Sequence, residues 1–190
     1  MTDRVKSVIL RMHNLDRNVL AGGRVRGLPG ARAMPTLQWD NELAYLARIN
    51  AMQCHFGHDQ CHNTARYHWS GQNIAWSGGL GNDMQAIRSA IDGWWKEYRQ
   101  TRKSDIDHFG NSRAMIGHFT AMAQDRTDRV GCGAVRYNRN QRIVVCNYSF
   151  TNLRGSYVYR SGRATSGCKT GKNPSFPNLC STREKVNPNP

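Results

Sequence analysis

Gly131-Cys132-Gly133-Ala134-Val135-Arg136-Tyr137 and Arg142-Ile143-Val144-Val145-Cys146-Asn147-Tyr148 are two β-branched, aromatic-rich runs separated by Asn138-Arg139-Asn140-Gln141. Such a pattern predicts a β-hairpin, with strands over 131–137 and 142–150. Centred on Arg139, its register sets Val135 against Ile143, Ala134 against Val144 and Cys132 against Cys146. Opposed residues of antiparallel strands lie close enough for a disulfide. The same register sets Arg136 against Arg142, which is tolerable only if both reach solvent.

Upstream of the hairpin the periodicity is helical. Val5, Val8, Ile9, Met12 and Val19 keep helical spacing up to Gly22-Gly23, and Gly27, Pro29, Gly30 and Pro35 mark a loop over 23–38. Asp40 is a candidate N-cap for a helix through Leu43, Leu46, Ala47 and Asn50 to about Cys54. Asn82 caps the clearest helix, in which Met84, Ile87, Ala90, Ile91, Trp94, Trp95 and Tyr98 make a wide apolar face. A further helix over 112–123 places Met115, Phe119 and Met122 on one side, and short strands are expected at 72–77 and 156–160. The chain is thus helices, a hairpin and a Gly/Pro/Asn-rich tail, without an internal repeat.

The 190 residues include 27 Lys and Arg against 13 Asp and Glu, a formal net charge of +14. Residues 151–190 hold seven of these bases and one acid. Arginine dominates, and its fork suits sulfate, phosphate and carboxylate groups. The arginines are scattered, however, with no basic block and no nucleic-acid-binding signature, so nucleic acid is set aside as a partner. No apolar run approaches the roughly 20 residues that cross a bilayer. Six cysteines form an even set with no CxxC pair, which favours disulfides over structural zinc and so an oxidising compartment. Cys168 and Cys180 suit a local staple in the tail, worth about 3 kcal/mol in the chain-entropy account.

The words Gly71-Gln72-Asn73-Ile74-Ala75-Trp76, Gly117-His118-Phe119-Thr120-Ala121-Met122 and Val145-Cys146-Asn147-Tyr148 stand in this order. They resemble the CAP superfamily of cysteine-rich secretory, antigen five and plant pathogenesis-related class one proteins. Gly57-His58-Asp59-Gln60-Cys61 and the tail around Cys168 and Cys180 are similar to antigen five proteins of flies. The resemblance implies an α+β, three-layer α-β-α sandwich with a central antiparallel sheet, a large cleft and a cysteine-stapled C-terminal tail. Residues 1–152 are expected as the CAP domain and 153–190 as an extension. Ala121 and Gln124 depart from the family's usual Gln and Trp.

Antigen five proteins usually carry cysteines before the first helix that pair with the positions of Cys54 and Cys61. Here these two are left to bond to each other, stay free or pair between molecules. Met1-Thr2-Asp3-Arg4-Val5-Lys6 is polar and shows no leader, so a longer secreted parent protein is expected.

Carried over residue by residue, the cleft set is His58, Glu97 and His118, with Gln72 where the family has Glu. Zinc or another divalent metal fits two imidazoles and one carboxylate, though none is required, and neutral Gln72 weakens the Coulomb attraction. Glu97 and His118 border apolar stripes, where a buried polar group needs a partner. His55, His62 and His68 are expected on the surface, with His62 the substitute ligand for His58. Ser70, Ser77 and Thr120 lie near these motifs without a nucleophile elbow. Asn147-Tyr148-Ser149 spells a glycosylation acceptor but sits in a strand, so it is expected unused.

The expected protein is secreted, monomeric and non-enzymatic, binding a small lipid or hydrophobic ligand, a host protein or an anionic glycan through an apolar cleft or a basic surface. One rival is a zinc-dependent hydrolase using His58, Glu97 and His118. The other is a charge-driven glycan binder using Arg154, Arg160, Arg163, Lys169 and Lys172.

Overall fold

The structure is a computed structural model that describes residues 1–79, 81–138 and 140–189, with Asn138 described by its backbone alone. The expected hairpin centre, Arg139, lies outside the described residues. In chain order the elements are α1 (Asp3–Ala21), β1 (Gln38–Trp39), α2 (Asn41–Met52), β2 (Gly71–Gly78) and α3 (Asp83–Lys96). A 3-10 turn (Glu97–Gln100), α4 (Lys103–Asp107), α5 (Gly117–Ala123), β3 (Arg129–Asn138) and β4 (Gln141–Tyr148) follow.

β3 and β4 pair antiparallel with Cys132 opposite Cys146, Ala134 opposite Val144 and Val135 opposite Ile143. β2 joins the other side of β4 antiparallel, placing Ile74 against Val145. β1 lies parallel to β3 through Gln38 and Trp39, so the sheet runs β1-β3-β4-β2 and is mixed at one edge. Arg136 and Arg142 do face each other. Arg136 is exposed, whereas Arg142 is buried and donates from Nε to Asp83 at 2.6 Å.

Alternation along β4 builds two cores, because successive side chains leave a strand on opposite faces. Ile143 and Val145 join Ile74 beneath Ala47 and Ala51 of α2. Val144, Cys146 and Tyr148 join Ile9 of α1, Ile87, Ile91 and Trp94 of α3 and Met122 of α5. Helices therefore cover both faces, which is why β4 is buried almost throughout rather than alternating with solvent. The Gly-Cys-Gly run of β3 has a steric reason. A Cβ on Gly131 would meet the backbone N of Ala44 at 2.1 Å, and one on Gly133 the Cα of Arg48 at 2.6 Å.

A third cluster joins Leu20, Met34, Ile106 and Phe119 to Val158, Tyr159 and Leu179 of the C-terminal segment. Disulfides join Cys132 to Cys146 and Cys168 to Cys180, as expected. Cys54 and Cys61 are both free and exposed, so the local bond between them is not formed. Residues 156–160 form no strand; they run through single contacts such as Val158 N–H to the Ile106 carbonyl. The helix expected over 112–123 begins only at Gly117. Met115 precedes it and is 71% exposed, not packed beside Phe119.

The buried face of α1 is also more polar than its spacing predicts. His13, Asn14 and Arg17 are buried, whereas Val19 is exposed. Arg17 donates to the carbonyls of Pro35, Met122, Gln124 and Thr127, which ties α1 to the loop before β1 and to the end of α5 and the turn after it. Burial lowers its pKa to about 9 against the opposing fields of Asp125 and Asp128.

Candidate functional site

α5 has no side-chain cap of its own, because Ile116 occupies the N-cap position. Glu97, just past α3, takes over that role. Its Oε2 accepts from the backbone N–H groups of His118 at 2.9 Å and Phe119 at 3.0 Å. A carboxylate there satisfies helix N-terminal donors and complements the helix dipole. Glu97 Oε1 accepts from Nδ1 of His118 at 2.6 Å. Trp94 stacks on the same imidazole, with centroids 6.0 Å apart. Nε2 of His118 is the ring nitrogen left without a partner among the described residues.

The backbone of His118 is anchored in turn. Its carbonyl accepts from Nδ2 of Asn73 at 3.0 Å, and the same Nδ2 lies 3.3 Å from the Tyr148 hydroxyl. That hydroxyl lies 3.0 Å from Nε2 of His13, whose Nδ1 donates to the Ile9 carbonyl. Burial lowers the His13 pKa to about 4, so the ring is neutral and Nε2 accepts from Tyr148.

His58 belongs to a second cluster, around Gln72. Gln72 Oε1 accepts from His58 Nδ1 at 2.9 Å and Asn50 Nδ2 at 3.1 Å. Its Nε2 donates to Asp59 Oδ1 at 3.0 Å and to Asn147 Oδ1 at 2.9 Å. His62 also reaches Asp59 Oδ1, at 2.7 Å. An amide meets these needs, because two of its four partners are acceptors; a glutamate would set a second carboxylate against Asp59. The departure from the family's Glu is therefore matched by Asp59 and Asn147.

The structure thus pairs His118 with Glu97 and His58 with Gln72, but does not assemble His58, Glu97 and His118 as one ligand set. Gln72 and Asn73 are consecutive in β2; Gln72 holds the His58 ring, whereas Asn73 holds the His118 backbone carbonyl. Among the described residues, no group of three His, Cys, Asp or Glu side chains is arranged to hold a metal ion. Both carboxylate oxygens of Glu97 are already committed.

His55 and His68 are exposed and His62 is half-buried beside Asp59. Thr120 is buried and donates to the Ile116 and Gly117 carbonyls, and Ser70 donates to the Tyr67 carbonyl. Asn147 is fully buried, bound to Gln72 and to the Leu43 carbonyl, so the folded chain does not present it for glycosylation. Asn50, Asp59, Asn73 and His13 escaped sequence reasoning. Only the three-residue spacing of Asp59 and His62 could have signalled any of them.

Two cavities sharing Ser112 and Ala114 adjoin the start of α5. One, of about 670 Å³, is lined by Arg102, Asp105, His108 and Arg113 among others, and the other, of about 220 Å³, by Phe109, Met115, Ile116 and Arg154. These linings mix polar and apolar groups.

A mixed sheet between helical layers, the Glu97–His118 pair and the hairpin disulfide define a CAP-fold protein. The chain belongs to the CAP family, the cysteine-rich secretory protein family, whose match spans residues 10–148. Among individual relatives, it is 42% identical to venom allergen-1 of Aedes albopictus over 98% of this chain and 76% of that protein. It is 44% identical to the antigen 5 like allergen Cul n 1 of Culicoides nubeculosus, over 74% of this chain and 66% of that protein. The crystal structure of NaASP2 with Zn2+ superposes with a TM-score of 0.84 at 28% identity, covering 95% of this chain and 97% of that one. The antigen-five resemblance read from the motifs therefore holds. Among the described residues, no helix is long and apolar enough to cross a membrane.

Proposed function

We propose that this protein is an extracellular, non-enzymatic binding protein of the venom-allergen type, acting as a monomer. One observation carries the proposal. Each of the two imidazoles is fixed through Nδ1, His118 by Glu97 and His58 by Gln72, and no serine, threonine or cysteine among the described residues donates to either ring. A nucleophile–base pair, the usual requirement for covalent hydrolysis, is missing from that set. Cavities of about 670 and 220 Å³ at the start of α5 suit holding a small ligand. Two disulfides and relatives named as allergens of biting and stinging insects support action outside the cell.

The rival zinc-hydrolase reading draws on the zinc-containing structure of NaASP2, whose metal belongs to that protein. Ester and peptide substrates incubated with the protein, with and without added zinc, separate the two. The expected outcome is no turnover above background in either condition. Zinc-dependent turnover abolished by His118→Ala would replace the binding proposal with the hydrolase.

A further inference from the structure

Away from the His58 and His118 clusters, the C-terminal segment closes a groove of about 360 Å³ over the corner that follows α5. Arg32, Arg126, Arg160, Lys169 and Lys185 line it, with Asp125 and Glu184 as its acids. Glu184 is fully engaged and Asp125 through Oδ2 alone, its Oδ1 being buried with no hydrogen-bond partner among the described residues. Asp125 Oδ2 accepts from Arg160 N and Nε, and Glu184 accepts from the backbone N–H groups of Lys169 and Thr170 and from Thr170 Oγ1. Among the described residues, Arg32, Arg126, Lys169 and Lys185 form no salt bridge. Five bases against two acids leave a net charge of +3 in one concave place.

Arg126 is half-buried and held on both sides, whereas Arg32, Arg160, Lys169 and Lys185 reach solvent. The Arg126 guanidinium lies 4.6 Å from the Tyr157 ring centre and 5.1 Å from that of Phe150, and its Nε donates to the Tyr157 hydroxyl at 3.2 Å. Arg160 lies 5.9 Å from the same Tyr157 ring. Arg32 runs beside Gly162 and Gly167, where a Cβ would meet its side chain at 3.1 and 3.0 Å. With each Nε engaged, the terminal NH groups of Arg126 and Arg160 form two forks flanking one aromatic ring.

We infer that this groove binds the sulfate groups of an anionic glycan chain, with Arg126 and Arg160 as the clamp. Arginine forks match tetrahedral oxyanions, and preorganised side chains lose less freedom on binding. A concave site of this volume admits a sugar unit or two, with Tyr157 as a wall, but not the flat face of a bilayer. The tail bases expected from sequence contribute only in part: Arg160 and Lys169 line the groove, whereas Arg154, Arg163 and Lys172 do not. Arg32 and Arg126, far away in sequence, complete it.

The test is calorimetry with a sulfated heparin hexasaccharide at about 0.15 M salt, where the Debye length is about 8 Å. Two variants that remove equal charge are compared: Arg126→Gln with Lys185→Gln in the groove, and Arg154→Gln with Arg163→Gln outside it. The groove pair should lose at least about tenfold in affinity, or 1.4 kcal/mol, and the outside pair less than about twofold. Equal losses, or none in the groove pair, would overturn the site. If Arg126→Gln lowers the melting temperature, Lys169→Gln with Lys185→Gln takes its place under the same criterion. Unsulfated hyaluronan and phosphatidylserine vesicles serve as comparison ligands, and binding to either as tight as to heparin would also overturn the proposal. The cleft clusters take no part, so failure here leaves the function proposed above standing.

Discussion

Asp16 and Arg17 are neighbours on α1 with opposite fates. Arg17 is fully buried, yet its charge is met by four backbone carbonyls. Asp16 is half-buried, and no hydrogen bond or ion pair among the described residues reaches its carboxylate. Burial first, and the field of Asp92 second, raise its pKa to about 7. A carboxyl that holds its proton more tightly folded than unfolded favours folding only while protonated. Its contribution is present below about pH 4 and is lost as pH rises to about 7. Asp16→Asn should therefore raise the melting temperature by roughly 2–6 °C at pH 8 and much less at pH 4.5. Thermal melts of both proteins at the two pH values check this, and equal shifts would refute the linkage.

Among the elements, the tightest constraint is the seat of α2 on β3. Gly131 meets the Ala44 backbone so closely that a methyl group cannot be accommodated without moving the helix. Gly131→Ala should cost more than about 3 kcal/mol, as overpacking against backbone does. At Gly117 a Cβ would meet nothing within 4 Å, and alanine in the first turn of α5 should be neutral or gain up to about 1 kcal/mol. Urea unfolding of the two variants measures the contrast, and similar stabilities would show that α2 is not seated as described. Local signals located α2 and α3 well. Asp40 does accept from the N–H groups of Glu42 and Leu43, and Asn82 and Gln85 form a capping box. The start of α5 was misjudged because its cap, Glu97, lies on another element. The two-residue β1 was missed because only parallel pairing with the distant β3 makes it a strand.

For the whole molecule, the C-terminal segment is a structural partner of the domain. Leu179 and Tyr159 enter a cluster with Leu20 and Phe119, Cys180 N–H donates to the Met34 carbonyl, and the Cys168–Cys180 bond closes the loop between them. Replacing both cysteines with serine should cost about 3 kcal/mol through the freed unfolded chain. It should also open the segment around 165–185 to limited proteolysis before the sheet is cut. Protease digestion followed by mass mapping reads this, and cleavage starting within β2–β4 would contradict the order.

The sequence by itself determined the two helix caps, the hairpin register that joins Cys132 to Cys146, the tail staple and the family, since each depends on neighbours a few residues apart or on whole motifs in order. Helical spacing also set Glu97 and His118 at the borders of apolar faces, where each needs a partner. Tertiary structure alone decided the rest. It bound the His58 ring to Gln72 and the His118 backbone to Asn73, committed Glu97 to capping α5, and gave Gln72 two acceptors that an amide alone can serve. It gathered Arg32, Arg126 and Lys185 from remote segments into one groove. The reason is common to all four: hydrogen bonds and charge act over a few ångströms in space, and packing sets those distances between residues far apart in the chain.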